Sequence, residues 1–161
     1  NSKTPLQFNT NMTKINDKVL NALEKFDSVY IIASIDGVGK HNNYLRHGSD
    51  WSVVEDNFKK FQSMPNVRIE IGYILQHSSV YTLQNVVEFA NTNNIWIWMS
   101  EVADDSGHLG INSVLTEDIN RAKSQLDYCT YEQRQTVQCW LDSYYFDAKL
   151  HKKYRYLATC L

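Results

Sequence analysis

The chain has 161 residues, 43% hydrophobic and 12% aromatic, with 16 basic against 18 acidic side chains and a formal net charge of -2. That length fits one domain of ordinary size, able to bury a core without disulfide or metal staples. Aromatic content and balanced charge exclude intrinsic disorder, two prolines and six glycines exclude a collagen-like or linker composition, and no apolar run reaches the ~20 residues of a membrane span. The same balance lacks the basic excess of a nucleic-acid surface, so neither nucleic acid nor membrane is an expected partner.

In chain order, Leu6–Asn9 reads as a short strand and Thr10–Thr13 as a polar turn. From Lys14 to Phe26, apolar residues Ile15, Val19, Ala22, Leu23 and Phe26 recur at helical spacing. Val29–Ser34 is a continuous β-branched and aromatic run, the pattern of a strand buried on both faces. A long polar segment, 35–50, follows. Ser52 and Glu55 form a capping-box pattern opening a helix with Trp51, Val54, Phe58 and Phe61 on one stripe. Pro65 stops that helix, because it lacks a backbone donor and biases its neighbour away from the helical region. Val67–Leu75 is the next strand, Val80–Ala90 the next helix and Ile95–Met99 a further strand. Strands alternating with helices predict βαβ crossovers and a mostly parallel sheet. After Glu101 the pattern changes to a polar turn, 103–110, and then two helices, one capped by Thr116 and one running from about Tyr131 to Tyr156. The basic aromatic stretch 149–156 is read as cations at a helix C-terminus.

Cys129, Cys139 and Cys160 are odd in number and widely spaced, which is no disulfide framework; reduced core thiols and a cytoplasmic location are the expectation. The five histidines show no metal-ligand spacing. Gly37-Val38-Gly39-Lys40 looks like part of a phosphate loop, but Ser34 stands at the first glycine position and His41 where a hydroxyl should hold magnesium, so that reading is rejected.

Parallel α/β proteins bind ligands outside the carboxyl ends of their strands. That rule selects Thr10-Asn11, Ser34–Gly37, Gln76–Ser79 and Ser100-Glu101. The series Ala33-Ser34-Ile35-Asp36-Gly37, then Arg46, then a helix with Val54, Asn57 and Phe61 resembles the fourth-strand region of radical S-adenosylmethionine proteins, in the subgroup related to the twitch and SPASM enzymes. Phe8–Thr13 resembles that family's third-strand end, with Met12 where a glycine usually stands, and Ile69–Gln76 its fifth βα unit. The resemblance covers residues 6–101 in order. It implies a partial (β/α) barrel of about four parallel strands over 1–102, with a C-terminal helical extension, 103–161, packed on it.

By position, the resemblance places Ser34 and Arg46 near the methionyl carboxylate and ribose of S-adenosylmethionine, with Asn11 and Asp36 as further cofactor contacts. His77 and Glu101, at strand ends, are candidate substrate contacts. A peptide substrate is implied by family analogy alone. The cysteine motif that holds the family's [4Fe–4S] cluster is absent, so no electron donor for cofactor cleavage is expected here. The chain is therefore expected to be the inactive C-terminal portion of a longer radical enzyme; the alternative is a non-catalytic α/β binding or interaction module. A partial sheet should leave Leu6–Phe8 or Val29–Ser34 as an unpaired edge, and self-association or coverage by the helical tail is the expected outcome.

Overall fold

The computed structural model describes residues 4–101 and 110–152. The protein is α/β. Four strands, β1 (Leu6–Thr10), β2 (Val29–Ser34), β3 (Val67–Leu75) and β4 (Ile97–Glu101), form one all-parallel sheet in the spatial order of the sequence. Between them lie α1 (Asp17–Leu23), α2 (Lys40–Leu45), α3 (Trp51–Gln62) and α4 (Leu83–Thr92); α5 (Thr116–Ser124) and α6 (Tyr131–Asp142) follow β4. Each crossover advances by one strand in the same direction. The right-handed preference for such crossovers, applied repeatedly, sends the connecting helices to one face.

That face is the core. Val29, Ile31, Ala33, Ile71, Tyr73, Leu75, Ile97 and Met99 alternate onto it and are buried. Val54, Phe58 and Phe61 of α3 and Leu83, Val86, Val87 and Ala90 of α4 join the same cluster, as do Ile111, Val114, Ile119, Leu126, Val137 and Leu141 from the region after β4. Phe89 packs edge-to-face with two α3 rings, Trp51 at 5.2 Å and Phe58 at 5.6 Å, which joins α3 to α4. The opposite face of the sheet is more open. Tyr30, Ile32 and Ser34 are half-buried there, and Trp98 is 51% exposed. The expectation that β2 is buried on both faces is thus corrected: only its core face is sealed.

Several boundaries differ from the sequence pattern for local reasons. The first helix begins only at Asp17, because the Asn16 side chain accepts from the Val19 N–H and caps it. It ends at Leu23, where Asn66 Nδ2 takes the carbonyls of Leu23 and Phe26 at 2.9 and 2.8 Å. Segment 35–50 holds the short helix α2, which lacks the apolar period that would have announced it. Asp50, not Ser52, caps α3: its Oδ1 accepts from Ser52 N and Ser52 Oγ, both at 2.9 Å.

A 3-10 turn, Val80–Thr82, precedes α4. The last strand starts two residues later than its apolar run, since Ile95 N–H closes the end of α4 on the Ala90 carbonyl at 2.9 Å. Thr116 is the first residue of α5 rather than its cap, and its hydroxyl meets Tyr144 Oη at 3.2 Å. The long final helix is broken after Asp142; Asp147 Oδ1 caps a new helical turn by accepting from Lys149 N and Leu150 N. The stretch 153–156 lies outside the described residues, as does Cys160. Cys139 is exposed, so the expectation of a core thiol fails there, while Cys129 is half-buried.

The turn after β1 is pinned from α3. Met12 has φ +61°, a left-handed conformation that side chains resist by about 1–2 kcal/mol. Its side chain is fully buried, a gain of roughly 2–5 kcal/mol by the usual large-to-small comparison, so packing outweighs strain. Asn57 of α3, itself buried, donates from Nδ2 to the Met12 carbonyl at 2.8 Å. Asn57→Ala, which leaves that carbonyl without its partner, should lower stability by about 1–3 kcal/mol in urea unfolding. Gln62→Ala removes an exposed bond to the Asn93 carbonyl and should change it by less than about 0.5 kcal/mol. Equal losses from the two would contradict this account.

Candidate functional site

The carboxyl ends of the four strands lie along one edge of the sheet, as parallel pairing requires. Asp36, just past β2, is the organising residue. Its side chain is 10% exposed, Oδ2 is ion-paired with Arg46 Nη2 at 2.7 Å, and Oδ1 accepts from the Ile74 N–H at 3.3 Å. Thr82 Oγ1 donates to the Asp36 carbonyl at 2.6 Å and contributes a 2.8 Å bond to Ser79 O. Ser79 Oγ in turn donates to the Ile74 carbonyl at 2.5 Å and accepts from Gln76 N at 3.1 Å. Tyr73, fully buried, donates its hydroxyl to Ser79 O at 2.5 Å, and burial raises its pKa further above the usual phenol range. One hydrogen-bonded knot therefore joins the ends of β2 and β3, the segment carrying α2, and the start of α4.

Ser34 stands next to this knot at the last position of β2, level with Gly72 of β3 and, beyond it, Trp98 of β4. Gly72 is required there by space: a Cβ would approach Ile32 Cγ2 to 2.8 Å. Ser34 is half-buried, and its hydroxyl has no hydrogen-bond partner among the described residues. Arg46 Nε is likewise buried without a partner. Of these two donors only Arg46 Nε is buried, and a buried donor left without a partner is an arrangement proteins avoid unless something else satisfies it.

The other predicted positions fall differently. Asn11 is exposed, and its Oδ1 accepts from Thr13 N at 3.2 Å and Thr13 Oγ1 at 2.8 Å, an Asx turn that occupies the side chain. His77 is buried and turned toward the region after β4. Ser113 Oγ donates to the Gly110 carbonyl at 2.7 Å, so it accepts from His77 Nδ1, also at 2.7 Å, which fixes the proton on that nitrogen. His151 Nδ1 donates to the Ser113 carbonyl at 2.7 Å, and the two imidazoles stack at 6.0 Å. Glu101 ends β4, level with Leu75; its side chain lies outside the described residues.

Sequence reasoning missed one constellation on the open face. Tyr30 donates its hydroxyl to Glu70, Arg68 Nη2 pairs with the other Glu70 oxygen at 2.7 Å, and the guanidinium lies 5.7 Å from the centre of the Tyr30 ring. The Tyr30 pKa is pushed up to about 12, first by burial and then by the Glu70 carboxylate. The available signal was Arg68-x-Glu70, two opposite charges on one face of an otherwise apolar strand. A shallow depression of about 230 Å³, lined by Asn91, Asn94, Ile95, Trp96 and Thr130, sits at the amino end of β4, the wrong end for the strand-end rule.

No group of three or more His, Cys, Asp or Glu among the described residues could hold a metal. Burial pushes the Cys129 thiol up to about 11, with Arg134 opposing, so the ligating thiolate is disfavoured. The described residues do not fit an iron–sulfur cluster. Comparison with known proteins adds no relative: no protein-family model, no curated protein and no solved structure matches the chain.

His77 makes the site acid-sensitive. Burial, reinforced by the His151 charge and opposed by Asp118, pulls its pKa from 6.5 down to about 4. Between those values the unfolded chain takes up a proton that the folded chain refuses. The neutral ring's contribution is therefore complete above about pH 6.5 and falls away as pH drops toward 4, by on the order of 2 kcal/mol. Thermal melts of the protein and of His77→Gln across pH 3.5–7.5 should show wild type losing its advantage in that window. A constant difference between the two would refute it.

Proposed function

We propose that the strand ends bind S-adenosylmethionine, and that the sheet is a partial (β/α) barrel related to the radical S-adenosylmethionine proteins. The observation that carries the reading is the buried, unpartnered Arg46 Nε of the guanidinium paired with Asp36, with the half-buried Ser34 hydroxyl at the end of the same strand that leads to Asp36. Strand order supports it, because four parallel strands taken in sequence are what part of such a barrel requires. Met12 supports it as well: it holds a backbone conformation glycine favours, at the position where the family's third-strand motif has glycine.

The electrostatics suit a zwitterion. Arg46 and Asp36 together are net neutral, so a bare anion gains little there, while an amino-acid moiety offers a carboxylate to the guanidinium and an ammonium to the aspartate. Ser34 Oγ can donate to a carboxylate or ribose oxygen. A [4Fe–4S] cluster would supply the electron that cleaves the cofactor in a radical enzyme; in this reading the described residues bind and orient the cofactor. A peptide substrate remains part of the proposal only through the family resemblance.

A second reading, a non-catalytic interaction module, is favoured by the exposed Trp98 on the open face and Trp96 just before β4, 51% and 41% exposed. Titration calorimetry separates the two. S-adenosylmethionine should bind weakly, with a dissociation constant of about 0.1–1 mM. Arg46→Lys preserves the charge facing Asp36 but removes Nε, and should weaken binding about tenfold, as should Ser34→Ala. No heat from the folded wild-type protein, or unchanged affinity in both variants, would leave the interaction module as the better account.

A further inference from the structure

The outer edge of β1 offers a self-complementary strand. Leu6 N–H donates to the Ser28 carbonyl at 3.1 Å, and Leu6, Phe8 and Thr10 stand level with Val29, Ile31 and Ala33 of β2. In a parallel ladder alternate residues bond to the neighbour, so Leu6, Phe8 and Thr10 turn their backbone groups inward. Gln7 and Asn9 must then turn N–H and C=O outward. Both residues are exposed, and neither outward group has a partner among the described residues.

Edges of this kind are usually protected by a charge, a proline, a bulge or a covering element. Leu6-Gln7-Phe8-Asn9-Thr10 has no charged residue and no proline, and its register with β2 is unbroken across all five positions. Phe8 is only half-buried, so part of its ring remains at the rim of the core. Among the described residues of the helical tail, α6 packs on β4 at the far side of the sheet from β1. The alternative edge is excluded as well: β2 is paired on both sides.

We propose that two copies of this chain associate by pairing β1 with β1, antiparallel about a two-fold axis through Phe8. The symmetry follows from the chemistry. A two-fold axis at Phe8 brings Gln7 of each copy opposite Asn9 of the other, and such pairs exchange both backbone bonds, giving four across the seam. Phe8 then faces Phe8 of the second copy at the close, non-hydrogen-bonded position, with both rings on the core side of a continuous eight-stranded sheet. Five residues span only about 17 Å, so the interface belongs to the small, weak class. This inference is independent of any ligand at the strand ends.

Sedimentation velocity from about 10 to 500 µM reads the result, as a monomer giving way to a dimer within that range. Gln7→Lys with Asn9→Lys sets like charges opposite each other twice across the seam and should weaken association about tenfold or more. Gln7→Lys with Asn9→Glu sets opposite charges at the same two places and should associate at least as well as wild type. Both side chains are exposed, so far-UV spectra and melting temperatures should match across the three proteins. A monomer throughout the range overturns the proposal. So does a double-lysine variant that dimerises like wild type, and so does a lysine–glutamate variant that behaves like the double lysine.

Discussion

A parallel sheet delivers all of its strand ends to one side, where the chain must turn and its backbone groups lose their ladder partners. In this protein a single carboxylate, Asp36, meets much of that demand. It holds the Ile74 N–H with one oxygen and Arg46 with the other, while its carbonyl takes the Thr82 hydroxyl. The ends of β2 and β3, the start of the next helical segment and the loop carrying α2 are thereby tied to one residue, with Arg46 anchoring that loop to the sheet. The same residue shapes the proposed ligand site, because it neutralises Arg46 and leaves Nε as the unspent donor.

The two faces of the sheet follow different rules. The core face is apolar, continuous with α3, α4 and the helices after β4, and its stability comes from burial. On the other face, Glu70 is almost fully buried and keeps both oxygens paired, with the Tyr30 hydroxyl and the Arg68 guanidinium. That network rigidifies the middle of the open face and leaves Ser34, Gly72 and Trp98 at its carboxyl end.

Much of this was legible in the sequence. The limits of β2 and β3 coincide with their apolar runs, since a β-branched run flanked by polar residues has one good conformation in a parallel sheet. The resemblance pairs Ser34 with Arg46 by position and adds Asp36 separately; in the structure Arg46 is in contact with Asp36. Asn57 is legible only as part of a helix pattern; its bond to the Met12 carbonyl, 45 residues away, has no local signature. His77 was placed at a strand end correctly, but its burial against Ser113 and His151 depends on how the chain returns after β4. The usual burial of cysteine points Cys139 inward, but the position of α6 turns it outward.

What the sequence determined by itself is the alternation of strands and helices, the parallel sheet and the set of polar strand ends, because hydrophobic period and turn chemistry are local properties. Tertiary structure alone decided the strand order, which face stayed open, how Asn57 reached the Met12 carbonyl, and which donors ended without partners. Those outcomes are set by competition between residues distant in the chain for the same hydrogen bonds and the same buried space, and no window of sequence contains both competitors.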